Sequence, residues 1–232
     1  MDHRPLTMVF HRPSSMVNRL PMRIIIFANG TLPNLEKARS LLRPDDFILC
    51  ADGGTRHALA LGLTPNVIVG DMDSLPENFR VADFSGEFVL FPKDKNETDL
   101  ELAINHALTL NPDQILILAA LGGRMDQTLA NIALLSNSSL VTHNLRITDG
   151  VEEIFFCRDE AKVTGRSGDI VSLIPWQGEV NGVFTENLRW HLHYETLYPE
   201  KTRGISNEMT ADVATVSITS GLLLVVHTIS NA

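Results

Sequence analysis

Short apolar runs alternate with amphipathic stretches over the first two thirds of the chain. Residues 23–30 read RIIIFANG, 47–54 FILCADGG, 66–71 NVIVGD, 87–92 EFVLFP and 114–121 QILILAAL. Most are apolar at consecutive rather than alternate positions and are followed by turn-forming residues, which predicts strands buried on both faces of a sheet. The stretches between them, NLEKARSLLRP, TRHALALGL, TDLELAINHALTLNP and MDQTLANIALLS, carry apolar residues at helical spacing, with Pro44, Gly62 and Pro112 as stops. Strand and helix in alternation predict a parallel sheet covered by helices. After about Asn144 the pattern changes. LRITDG, EEIFFC, DIVSLIP, EVNGVFT, DVATVSIT and LLLVVHT are short β-type runs separated by turn residues, with no helical run among them. The expected architecture is α/β, a parallel-sheet domain over 22–144 followed by an antiparallel β-sandwich over 145–232, with residues 1–21 an N-terminal extension.

This pattern places acidic residues at predicted strand ends. Asp52 follows FILCA, Asp71 and Asp73 follow NVIVG, and Asp99 follows EFVLFP across a short loop. Ligands of parallel α/β sheets bind outside the carboxyl ends of the strands. Four carboxylates converging there suit a hard divalent cation such as Mg²⁺, which takes oxygen ligands and bridges to phosphates. Each residue has a plainer reading. Asp52 before Gly53-Gly54 is an ordinary turn residue, Asp71 and Asp73 are solvated loop charges, and Asp99 lies in a capping box from Thr98 to Glu101. The joint occurrence favours a site. LGGRMDQT, residues 121–128, offers two glycines for close backbone approach to a phosphate, Arg124 as a clamp and Asp126 to orient it. His191 and His193 alternate in RWHLHYE but lack a clear third metal ligand.

Composition narrows the chemistry. The 232 residues are 44% hydrophobic and 20% charged with net charge -9, which fits a folded chain and disfavours nucleic acid as a partner. No run is long and apolar enough for a membrane span, the N-terminus lacks a signal-peptide core, and the two cysteines, Cys50 and Cys157, sit in strand-like runs, so a reducing cytoplasmic setting is expected. GxxxxGK[ST] and GxGxxG are both absent, which excludes the P-loop template and disfavours a dinucleotide site.

Five stretches taken together, ADGGTRHALALGLTPNVIVGDMDSL, KNETDLELAI, LGGRMDQTLANI, ENLRWHL and RGISNE, resemble the thiamine pyrophosphokinase family from about Arg23 to the C-terminus. The resemblance implies transfer of pyrophosphate from ATP to the hydroxyethyl oxygen of thiamine, giving thiamine diphosphate and AMP, in a homodimer with a shared active site. It implies that Asp71, Asp73 and Asp99 bind Mg²⁺ and act in catalysis with Arg124. It places ATP near Asn29, Asp52, Gly53, Gly54, Arg124, Asp126 and Gln127. It implies that Trp190 stacks on thiamine and that Ser206 and Asn207 contact its pyrimidine end. In isolation Trp190 reads as a core aromatic and ISNE as a turn. One departure stands out: Asn96 occupies a position where the family usually has aspartate, so an oxygen acceptor is kept and a charge lost. Another nucleotide phosphotransferase, or a ligand sensor without turnover, are the competing functions.

Overall fold

The structure, a computed structural model, describes residues 22–77, 79–140 and 143–230. The expected extension at 1–21 lies outside the described residues. Five strands, β1 (Arg23–Phe27), β2 (Phe47–Ala51), β3 (Val67–Gly70), β4 (Glu87–Leu90) and β5 (Gln114–Leu118), alternate with four helices, α1 (Leu35–Ser40), α2 (Thr55–Ala60), α3 (Asp99–Thr109) and α4 (Met125–Leu134). The apolar runs of β1, β2, β3 and β5 are buried on both faces, as their sequences require. β4 is the edge strand and only partly covered, consistent with its Glu87. Thr98 Oγ1 accepts a hydrogen bond from Glu101 N at 3.2 Å, so the expected N-cap of α3 forms and fixes the direction in which Asp99 leaves the loop.

The β-rich remainder comprises β6 (Asn144–Thr148), β7 (Glu152–Cys157), β8 (Glu160–Thr164), β9 (Ile170–Pro175), β10 (Val180–Glu186), β11 (His193–Leu197), β12 (Asn207–Glu208), β13 (Val213–Ser217) and β14 (Leu223–Thr228). Among the described residues, one sheet runs β12-β9-β14-β7-β6-β5-β1-β2-β3-β4 and a second runs β11-β10-β13-β8. β6 still pairs parallel with β5, and direction reverses at β7. Hydrogen bonding therefore crosses residue 144 without a break. We keep the division at 144/145 as a proposal about units of the chain; the long sheet is common to both.

Period-two alternation sorts the core. In β1, Ile24 and Ile26 face α3 and α4, while Ile25 and Phe27 face α1 and α2. Further along the same sheet, Ile154 and Leu224 join the first of these layers. Phe155, Cys157, Val171, Leu173, Leu223 and Val225 turn the other way and pack on Val163, Val183, Leu197 and Val216 of the second sheet. The result is an antiparallel sandwich, one leaf of which is the far half of the long sheet. The strands that the pattern does not predict, β8, β11 and β12, are short and polar on an open face: EAKVT buries only Val163 and HYETL only Leu197. Cys50 and Cys157 are buried and unpaired. Burial, with the nearby Asp159 charge, pushes the Cys157 thiol up to about 12, so neither sulfur is poised for reaction.

The starts of β1 and β2 are tied by a buried ion pair. Arg23 Nε and Nη2 donate to Asp46 Oδ1 and Oδ2, each at 2.7 Å, and Arg23 Nη2 also reaches Leu41 O at 2.8 Å. The two side chains are 10% and 1% exposed. Asp46→Ala leaves Arg23 without its counter-charge, and is expected to cost about 3 kcal/mol of stability. Urea unfolding checks this; a loss below about 0.5 kcal/mol, the range of an ordinary surface substitution, contradicts it.

Candidate functional site

The carboxyl ends of β1, β2 and β3 meet because glycines remove the atoms that would keep them apart. A Cβ on Gly54 would lie 2.0 Å from Phe27 O, and one on Gly53 would lie 2.5 Å from the Asn29 side chain. Gly70, at φ +148, is the third case: a Cβ there would stand 2.8 Å from Asp52 Cβ and 3.1 Å from Asp99 Oδ1. Asp52 and Asp99 thus crowd in across the end of β3. Asp52 itself is held at φ 41, and Met72, between Asp71 and Asp73, at φ 62. Both are left-handed conformations uncommon for non-glycine residues, and they turn neighbouring carboxylates toward one point.

One oxygen each from Asp52, Asp71 and Asp73 lies within 4.8 Å of the others. Asp52 is 2% exposed; its Oδ2 accepts from Ser74 N at 3.2 Å, and its Oδ1 is buried with no hydrogen-bond partner among the described residues. Two lysines stand among the acids. Lys93 Nζ is 2.5 Å from Asp73 Oδ2; Lys95 Nζ is 2.8 Å from Asp99 Oδ1 and 3.9 Å from Asp71 Oδ2. Burial, and then the charges of Asp99 and Asp71, raise the Asp52 pKa, while the Ser74 bonds oppose the rise. The hydrogen bond from Lys93, followed by that from Ser74, holds Asp73 below the usual carboxylate range. Burial works against the Lys95 charge, but Asp99, Asp71 and Asp52 outweigh it and raise its pKa. Three carboxylate oxygens at this spacing, with lysines already compensating the surplus charge, fit a hard divalent cation.

Beside the carboxylates opens a cleft of about 580 Å³, lined by Asn29, Lys93, Lys95, Asp99, Arg124 and Gln127 among others. Gly122 and Gly123, at φ +76 and +73, turn the chain from β5 into α4 along its wall. Arg124 precedes α4 and pairs with Asp126, its Nε reaching Asp126 Oδ1 at 3.1 Å. Gly53 and Gly54 are buried behind the cleft, where they permit the close approach of β1 and β2.

The structure thus brings together Asp52, Asp71 and Asp73, with Asp99 beside them on Lys95. The resemblance implied Asp71, Asp73 and Asp99 as metal ligands; the pattern named all four acids, and all four lie in this region. Asn96 is exposed, while Lys95 turns inward among the acids. Pattern reading missed Arg56, Lys93 and Lys95 as site residues. Arg56 Nη2 donates to Asn29 O and Gly30 O, both at 2.9 Å, and a second nitrogen reaches Asn29 Oδ1. The signal available for it was its place in TRHALALGL, in the first turn of a helix that begins at a predicted strand end. The two lysines stand out in PKDKNETD only once the acids around them are known.

Trp190, Ser206 and Asn207 form a separate group; none lines the cleft of the same chain. Trp190 is 50% exposed, so it is not a core aromatic. Ser206, at φ 57, occupies a tight turn and donates N–H to Ser172 Oγ at 3.0 Å. Asn207 is buried, and its amide is bonded to the Trp190 backbone. His193 packs edge-on to Phe184, with ring centroids 5.3 Å apart. Among the described residues, neither His191 nor His193 joins a cluster of three or more metal-ligating side chains.

Known proteins resemble this chain over most of its length. Residues 38–148 match the family described as Thiamin pyrophosphokinase, catalytic domain, and residues 156–223 match Thiamin pyrophosphokinase, vitamin B1 binding domain. The chain is 28% identical over 180 residues to the thiamine pyrophosphokinase of Bacillus subtilis (strain 168), covering 76% of this chain and 84% of that protein. The crystal structure of thiamine pyrophosphokinase from Bacillus subtilis superposes with a TM-score of 0.81 at 26% identity, over 90% of this chain and 99% of that one. The yeast thiamin pyrophosphokinase structure shares the fold, with a TM-score of 0.70 at 18% identity over 91% of this chain and 87% of that one.

The crowding at Asp52 carries a stability signature. Its folded pKa lies above its unfolded value, so its contribution is fullest below the unfolded carboxylate range and is lost as pH rises through the folded pKa. Asp52→Asn, uncharged throughout, is expected to raise the unfolding temperature of metal-free protein at pH 7, and the difference from the parent should close below about pH 4. Thermal unfolding in chelator across this range measures it; a variant less stable than the parent at pH 7 contradicts the crowding.

Proposed function

We propose that this chain, which belongs to the thiamin pyrophosphokinase family, is a thiamine diphosphokinase that uses ATP and Mg²⁺ and releases AMP. The observation that carries the reading is the Asp52, Asp71 and Asp73 oxygen cluster, with Lys93 and Lys95 joining it to the cleft. Asp71 and Asp73 would hold the cation, with Asp99 or Asp52 completing the carboxylate set. When bound, Mg²⁺ supplies charge neutralisation at the phosphate oxygens.

The chain's own groups have distinct parts. Lys93, Lys95 and Arg124 line the cleft and offer donors to a triphosphate. Gln127 and Asn29 line the same cleft, and Arg56 holds the Asn29–Gly30 backbone in place. The thiamine hydroxyl oxygen forms a bond to the β-phosphorus, the bond from that phosphorus to the α–β bridging oxygen breaks, AMP departs, and the hydroxyl proton leaves to a base or to water. Positioning and charge compensation supply most of the rate. Trp190 offers an exposed indole to the flat, cationic vitamin. Because its group does not line the cleft of its own chain, the reading includes a homodimer in which one copy supplies the cleft and the other supplies Trp190. On α4, Met125 and Leu129, 71% and 52% exposed beside Arg124, give such a partner an apolar stripe to cover. Among the described residues no helix is long and apolar enough to cross a membrane.

Incubation with ATP, Mg²⁺ and thiamine is expected to yield AMP and thiamine diphosphate in equal amounts by mass analysis. ADP in place of AMP points to an ordinary kinase, and tight binding with no product points to a sensor.

Asp71→Asn and Asp73→Asn should each lower turnover by about a hundredfold or more. Their folds should survive, because both positions lie in the loop after β3. Mixing either variant with Trp190→Ala protein should restore part of the activity, since one mixed site then has an intact cleft and an intact indole. Near-normal turnover in both aspartate variants at saturating Mg²⁺ would falsify the metal role, and absence of rescue in mixed dimers removes the shared site.

A further inference from the structure

Asn207 is buried at 2% exposure, yet its side-chain amide is almost fully engaged. Oδ1 accepts from Trp190 N and from Glu208 N, each at 3.0 Å, and Nδ2 donates to Trp190 O at 2.7 Å. An amide oxygen takes two such bonds, so Oδ1 is saturated. Both backbone groups of one exposed residue are thereby clamped by one side chain. Asn207 itself is fixed in β12, which pairs with β9 at the edge of the long sheet. Trp190 lies between β10 and β11 of the other sheet. The clamp ties the tryptophan to the opposite leaf of the sandwich, the far end of the long sheet.

The surroundings complete a cradle. Leu188 and Leu192, both fully buried, anchor the chain on either side of Trp190 in the sandwich core. Arg189 N donates to Glu208 O at 2.8 Å, and Arg189 Nη1 is 3.1 Å from Glu208 Oε2. The Arg189 guanidinium lies over the indole at 5.2 Å, occupying one face. The backbone of Trp190 is held by Asn207 and by its buried neighbours, although half of the residue's surface is open. Exposed aromatics without a binding role have no physical need of such restraint, whereas a stacking platform gains affinity when its ordering cost is met before binding.

We infer that Asn207 is a positioning residue for Trp190, its amide holding the backbone from which the indole projects. The inference rests on the reading of Trp190 as the residue that stacks on thiamine. Direct contact with the pyrimidine end is left only the second Nδ2 hydrogen, on a residue that is 2% exposed.

The test uses Asn207→Asp, which keeps the volume and an acceptor but sets a carboxylate oxygen against Trp190 O. A Trp176→Phe background leaves Trp190 as the sole tryptophan. Relative to that background, Asn207→Asp should lower Trp190 fluorescence anisotropy, increase acrylamide quenching, and raise the thiamine KM about tenfold with the ATP KM within about twofold. Unfolding curves show whether each variant is folded at the assay temperature, and Asn207→Ala, which removes the amide without setting a charge against Trp190 O, replaces Asn207→Asp if the latter is not. Unchanged anisotropy and quenching overturn the positioning role, whatever the KM does. An unchanged thiamine KM in Trp190→Leu protein overturns instead the stacking role on which the inference rests, so the two failures read differently.

Discussion

Like-charge repulsion at the carboxyl edge of the parallel sheet is the constraint on which the rest of the site depends. Three neighbouring strand ends bring Asp52, Asp71, Asp73 and Asp99 into one region, and Gly70 lets two of them press together across a missing Cβ. Each acid has a different answer to the repulsion. Asp73 takes Lys93, Asp99 takes Lys95, Asp71 shares Lys95 at longer range, and Asp52 is pushed toward its neutral form by burial. A site compensated in this way is primed for exchange: lysines that neutralise the acids also line the cleft where a polyphosphate would need positive charge. On the proposed reading, a divalent cation would relieve what the lysines only partly balance.

The long sheet supplies the rigidity that such crowding needs. Strands buried on both faces give β1, β2, β3 and β5 little freedom, and the Arg23–Asp46 pair fixes the opposite ends of β1 and β2. The left-handed residues Asp52 and Met72 cost energy locally, and the packed strands behind them hold that strain in place. The same sheet continues into the sandwich, so the cleft and the Trp190 group are mounted on one frame although they do not meet within a chain. On the proposed reading, a second copy of the chain would bridge that separation.

Much of this was legible in the residues. Consecutive apolar positions in RIIIF, FILCA and QILIL report two-sided burial, and Thr98 with Glu101 reports the start of α3. The acids at strand ends, and the family, could be read from order and spacing, because a parallel sheet places those ends at one edge whatever the details of packing. Local pattern carries this information since each element's burial is written in its own periodicity.

What the pattern could not carry is which side chains meet. That Asp52 joins Asp71 and Asp73, while Asp99 turns to Lys95, depends on the φ of Asp52 and on the space at Gly70, which are set by packing between strands. That Asn207 spends its amide on Trp190 depends on β12 lying at the edge of one sheet and Trp190 between strands of the other, 17 residues away in sequence. The polar strands β8, β11 and β12 escaped notice because half of each faces outward and too few apolar positions mark the inner side. Periodicity and residue type set the elements, their burial and the chemistry delivered to the sheet edge. The pairings came from packing, because contacts between distant residues follow from register and turn geometry, to which hydrophobic periodicity is blind.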